Sequence, residues 1–78
     1  MPRSLSGPEL AKALQRFGYE IARQTGSHIR LTTKVNGQHH VTIPNHSPLR
    51  VGTLSAILVN IAAHHKVTRE HLLGRLFG

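Results

Sequence analysis

Two groups of side chains in this 78-residue sequence can do chemistry near neutral pH: seven histidines, and ten lysines and arginines. There is no cysteine, which excludes disulfides, thiolate nucleophiles and thiolate metal sites. His28 follows Gly26 and Ser27 and opens a run of alternating residues, so it projects from a strand on the same face as Arg30 and Lys34. An imidazole is suited to take a proton from a 2′-hydroxyl or a water. Arg30 and Lys34, one and three same-face positions further on, could bind a phosphodiester. Gly26 would let a phosphate come close to the backbone, and the Ser27 hydroxyl could bond one of its oxygens. By pattern alone, however, a single strand histidine is more often a plain surface residue than a base. His46 is the best-placed second acid or base, and equally a loop histidine bonded to Ser47 or to backbone. His39-His40 and His64-His65 invite a zinc reading. Adjacent strand residues point to opposite faces, and no cysteine or acidic cluster completes a tetrahedron, so no metal site is expected.

These residues need a sheet to hold them, and the sequence supplies one. From Arg23 to Pro44 it reads RQTGSHIRLTTKVNGQHHVTIP, two alternating runs about a turn at Asn36-Gly37. In the first run Ile29, Leu31 and Thr33 share a face, opposite His28, Arg30, Thr32 and Lys34. In the second, Val41 and Ile43 are the buried pair. A two-residue loop would set Arg30 against Ile43 and Thr32 against Val41, mixing the faces. A three-residue loop, Val35 to Gly37 with Gly37 left-handed, pairs Leu31 with Val41 and Ile29 with Ile43; a five-residue loop keeps the same faces. His28 then lies opposite Pro44, with His46 just past the strand end on the same side. His40 lies opposite Thr32, roughly 13 Å along the sheet from His28.

The remaining elements follow from caps and periodicity. Met1 to Leu5 reads as a frayed lead-in. Ser6-Gly7-Pro8-Glu9 is a capping box, and Leu10, Ala13, Leu14 and Phe17 form one helical face that Gly18 ends. Tyr19 to Arg23 is a short strand with Ile21 as its core residue. Pro44 to Gly52 is a loop. A second helix starts near Thr53, capped by Gly52 or Thr53, with Leu54, Ile57, Leu58, Ile61 and Ala62 inward. Thr68 caps a short third helix carrying Leu72, Leu73, Leu76 and Phe77. Tyr19 and the two phenylalanines are core residues rather than base-stacking platforms. The expectation is one α+β domain over residues 1–78: helix, three-stranded antiparallel sheet, helix, with a C-terminal helical extension over 67–78. This is the layout of double-stranded-RNA-binding domains, with one sheet face covered by helices and the other open.

Charge narrows the partners. Ten basic against three acidic residues give a net charge of +7, which favours a polyanion, most simply nucleic acid. No apolar run reaches the length of a membrane span and no secretory signal is visible, so a cytoplasmic, membrane-free protein is expected.

Over nearly its whole length the sequence also resembles the HicA toxins of HicAB toxin–antitoxin systems. The resemblance rests on Ser6-Gly7, Leu10 and Leu14, Phe17-Gly18-Tyr19, and Arg23-Gln24-Thr25-Gly26-Ser27-His28. It continues through Val41-Thr42-Ile43-Pro44 with His46, then Leu49, Gly52-Thr53-Leu54 and Ile57-Leu58. It implies an mRNA-cleaving ribonuclease without a metal cofactor, blocked by a HicB-type antitoxin, with the histidine of the Gly-Ser-His step, here His28, as the catalytic one. The segment from Val67 onward departs from the family pattern, and Val35-Asn36-Gly37 stands where many members carry an acidic residue before the glycine. The sequence is therefore read as a toxin ribonuclease with His28 as general base. Gly26, Ser27, Arg30, Lys34 and His46 would contact RNA. The chain is expected as a monomer when free, or within a toxin–antitoxin complex. The alternatives are a non-catalytic RNA-binding module of the same fold, and a basic domain that binds only an acidic protein.

Overall fold

The computed structural model describes residues 4–78. In chain order the elements are α1 (Gly7–Arg16), β1 (Glu20–Gln24), β2 (His28–Thr33), β3 (His39–Pro44), α2 (Val51–His65) and α3 (Arg69–Phe77). The strands form one antiparallel sheet in the order β1-β2-β3. This is the expected α+β layout, a sheet between two helices in sequence with a further helix at the C-terminal end.

α1 begins where its cap dictates. The Ser6 hydroxyl accepts from the Glu9 N–H at 3.1 Å, and the Glu9 carboxylate accepts from the Ser6 N–H at 3.0 Å. The Ser6 N–H bond, with a smaller contribution from the Ser6 hydroxyl, holds the Glu9 carboxyl below its ordinary range. The Gly7 N–H donates to the His46 carbonyl at 2.9 Å, and a Cβ on Gly7 would collide with the Pro44 carbonyl oxygen. Glycine is thus what lets the helix start sit directly on the end of β3.

The hairpin has the register that parity demands. Ile29 pairs with Ile43, Leu31 with Val41, His28 with Pro44 and Thr32 with His40. Ordered pairing stops at Thr33 and His39, so the loop is the longer alternative, Lys34 to Gln38, rather than three residues. Asn36 and Gly37 both take positive φ, 59° and 97°, the left-handed step that Gly37 was expected to provide. Ile29, Leu31, Thr33, Val41 and Ile43 are buried, whereas His28, Arg30 and Lys34 are exposed on the other face. Leu10 and Leu14 of α1, Leu58 and Ile61 of α2 and Leu72 of α3 close over the buried face with no more than 1% exposure. Each such side chain contributes about 1.5–3 kcal/mol, so a few of them carry a large share of the stability of a small domain.

Three expectations are corrected. Ile21 is not a core residue: it pairs with Leu31 at the edge of the sheet, where the helical layer leaves it 40% exposed. Tyr19 takes the buried place instead, just before β1, at 2% exposure. Leu5 is not frayed but buried, with its carbonyl accepting from the Leu49 N–H at 2.8 Å; Met1 to Arg3 lie outside the described residues. Finally, α2 starts at Val51, with Arg50 at the cap position and no side-chain cap. Neither Gly52 nor Thr53 is therefore the cap, and Leu54 N–H closes the first turn onto the Arg50 carbonyl.

Candidate functional site

The β1–β2 turn presents His28, and Thr25 builds that turn. Its Oγ1 accepts from the N–H groups of Ser27 at 3.3 Å and His28 at 3.0 Å, while its own N–H donates to the His28 carbonyl at 2.9 Å. The next loop braces the turn from outside: the Asn45 N–H donates to the Ser27 carbonyl at 2.9 Å and the Asn45 side-chain amide to the Gly26 carbonyl at 3.4 Å. The roles of Thr25 and Asn45 in holding this turn were not foreseen from the sequence. A Thr two and three residues before the N–H groups it serves is the local signal for such a turn.

On this turn Ser27 Oγ lies 3.0 Å from His28 Nδ1. When Nδ1–H donates to Ser27, Nε2 is left as a lone-pair base facing solvent, and the serine hydroxyl keeps its own proton to donate. Gly26 has no protein atom within 4 Å of where a Cβ would stand, so packing does not demand the glycine and the space beside it is open. His46 is exposed one residue past Asn45, with its backbone tied to the start of α1. It is at the His28 end of the sheet, and no hydrogen bond joins the two side chains.

Arg30 stands on the same open face one step from His28, opposite Thr42 of β3. Its β1 neighbour is Arg23, and this pairing was not foreseen. With uninterrupted pairing from Ile21 opposite Leu31, Arg30 would face Ala22. A register shift between Ile21 and Arg23 sets Arg23 opposite Arg30 instead. Like charges directly opposite one another destabilise a sheet, and a bulge re-aims side chains. Arg23 and Arg30 therefore hold paired positions on β1 and β2, one same-face step from His28. Lys34 is separate, at the start of the hairpin loop, where it lines a cleft of about 520 Å³ with Glu20, Thr32 and Val35.

His39, His64 and His65 do structural work at the opposite end. Tyr19 Oη lies 2.8 Å from His39 Nδ1 and 3.0 Å from His65 Nε2, with Asn36 Nδ2 at 3.1 Å from His65 Nδ1 and His39 Nε2 at 2.9 Å from Asn60 Oδ1. One set of protons satisfies all four contacts: Asn36 donates to His65, His65 to Tyr19, Tyr19 to His39 and His39 to Asn60. Both rings are neutral in that chain. His64 stacks on His39 at 4.3 Å, and its Nε2–H donates to the carbonyls of Val35 and Gly37 at 3.1 and 3.0 Å. The network ties α2 to the hairpin loop that carries Lys34. Burial, followed by the nearby His64 and His39, pushes the His65 pKa down, and burial raises that of Tyr19 to about 12. Among the described residues no group of three or more His, Cys, Asp or Glu is arranged to hold a metal ion.

The family model of the HicA toxin of bacterial toxin–antitoxin systems matches residues 7–62. The chain belongs to the HicA toxin family. No curated protein and no solved structure matches the chain. The HicA match runs from the first residue of α1 into α2 and so takes in the Thr25 turn, His28, both arginines and Lys34. It stops before α3, whose Leu72 and Leu76 complete the core of this chain. Among the described residues no helix is long and apolar enough to cross a membrane.

Proposed function

We propose that this HicA-family chain is a metal-independent endoribonuclease that cleaves mRNA on the open face of its sheet. The observation that carries this reading is the Ser27–His28 contact at 3.0 Å on a turn rigidly held by Thr25 and Asn45, beside the paired arginines. His28 Nε2 takes the proton of a ribose 2′-hydroxyl. The freed oxygen attacks the adjacent phosphorus, the bond from phosphorus to the 5′-oxygen breaks, and that oxygen leaves with a proton. The products are a 2′,3′-cyclic phosphate and a 5′-hydroxyl. His46 is the candidate donor of the leaving proton, and Arg23 and Arg30 offset the charge that builds on the phosphoryl oxygens. Ser27 and the open backbone at Gly26 meet the same phosphate, and Lys34 holds the strand further along.

An acidic antitoxin of the HicB type is the fitting inhibitor, since a chain of net charge +7 with Arg23, Arg30 and Lys34 on its open face attracts a complementary surface. The non-catalytic alternative is weaker because binding alone does not require an imidazole oriented by a serine. Incubating the purified chain with RNA in EDTA tests the proposal. It predicts undiminished cleavage and ends carrying cyclic phosphate and 5′-hydroxyl; activity lost to the chelator and restored by Mg²⁺ or Zn²⁺ would overturn it.

A further inference from the structure

The chain has only three acidic residues. Two of them serve helix starts, Glu9 in the capping box of α1 and Glu70 in the first turn of α3. Glu20 serves neither purpose. It lies on β1, opposite Thr32, and lines the cleft of about 520 Å³ at the Thr32–Val35 end of the sheet, away from His28. A carboxylate there repels phosphates, so on a surface that binds only RNA backbone it would be a liability. It is suited to something else: accepting hydrogen bonds from a base edge.

The cleft around it is firm. Its inner wall is Thr33, which is 3% exposed, donates from Oγ1 to the Gly18 carbonyl at 2.8 Å and accepts from the Val35 N–H at 3.2 Å. Val35, 49% exposed, supplies an apolar side, and Lys34 stands at the edge. One apolar wall, one carboxylate and one ammonium suit a base held in plane with its phosphate at the rim. We infer that the cleft is a guanine-recognition site, in which both Glu20 carboxylate oxygens accept from guanine N1–H and N2–H while Lys34 binds the neighbouring phosphate. Guanine is the base whose Watson–Crick edge offers two parallel donors side by side. Adenine and uracil place an acceptor against one of the two oxygens, and cytosine offers one donor. The site deepens the ribonuclease reading and rests on it for its link to cleavage. Thr32 is roughly 13 Å from His28 along the strand. That is about four nucleotides of a stacked strand and fewer of an extended one, so the site would fix the distance from a guanine to the scissile bond.

The test uses oligouridine carrying a single guanosine or adenosine, with the full chain and its Glu20→Gln variant, circular dichroism confirming that both are folded. Wild type is expected to cut at a constant spacing of about two to four nucleotides from the guanosine. It should bind an uncleavable 2′-O-methyl version roughly tenfold or more tightly than plain oligouridine. Glu20→Gln, whose amide pairs a donor with an acceptor, should lose both preferences for guanosine and favour adenosine. Identical guanosine dependence in the variant, or none in wild type, would overturn the inference. If wild type cleaves no RNA yet binds the guanosine oligomer selectively through Glu20, the cleft assignment stands and the ribonuclease proposal falls.

Discussion

The hydroxyl of Ser27 sits 3.0 Å from Nδ1 of its neighbour His28, although side chains adjacent on a strand normally point to opposite faces. The two meet because Ser27 belongs to the Thr25 turn and only His28 to β2. Ser27→Ala removes the group that orients the ring and leaves the ring itself. We expect kcat to fall about tenfold with KM nearly unchanged, and Ser27→Thr to restore most of the loss. A serine that served only to hold phosphate would raise KM instead.

Arg23 and Arg30 face each other across β1 and β2, so each should count as a phosphate contact. Replacing either with alanine should reduce the slope of log affinity against log salt by about 0.7 for single-stranded RNA. Lys12, on α1, should not matter to that slope when replaced. Because the arginines repel each other, Arg23→Ala should leave stability unchanged or slightly higher. An unaltered salt slope for Arg23→Ala would show that the bulge does not serve binding.

His65 predicts how the fold responds to acid. Burial and the adjacent His64 and His39 depress its pKa in the folded protein, whereas in the unfolded chain it titrates near 6.5. Below that value the unfolded state binds the additional proton. The stabilisation from a neutral His65 is therefore complete above about pH 6.5 and is lost as pH falls through the lower folded value. Urea midpoints should decline as pH falls below about 6.5. His65→Gln should be less stable at pH 7.5, because the Tyr19 and Asn36 contacts are disturbed, and its midpoint should vary less with pH. Equal pH dependence in both proteins would place the acid sensitivity elsewhere. Tyr19 acts at the other end: with a folded pKa of about 12, it should cost stability above about pH 10.

The parts of this molecule legible in the sequence are those governed by local rules. The capping box at Ser6 and Glu9 depends on residues three apart, and the hairpin faces follow from which register keeps Ile29, Leu31, Val41 and Ile43 together. What was hidden depends on partners far apart in the chain. Ile21 alternates like a core residue, and only its position at a sheet edge exposes it. The bulge that places Arg23 beside Arg30 has no marker such as a glycine. His39, His64 and His65 come from two elements and meet around Tyr19, which precedes β1. Their sequence pairs gave no sign of a hydrogen-bonded network. At the site itself the Gly-Ser-His step was conspicuous and the Thr25 turn is local, while the bracing by Asn45 needed the chain to fold back between β3 and α2.

If an antitoxin silences this chain by covering the open face, hydrogen exchange should slow on complex formation at the Thr25 turn and along β1. The paired arginines make an acidic covering segment the expected one. Protection confined to α1 and α2 would mean that the partner docks on the helical layer and leaves the His28 face free.

The most direct test of the account is single-turnover cleavage at saturating RNA by wild type and His28→Ala, with circular dichroism showing both to be folded. His28 is exposed on the open face, so its loss should change stability by no more than about 0.5 kcal/mol. RNA binding should persist through Arg23, Arg30 and Lys34. The rate of the chemical step should fall about 10²-fold or more. Equal rates for the two proteins would remove His28 from the mechanism and leave this fold as a module that binds RNA without cutting it.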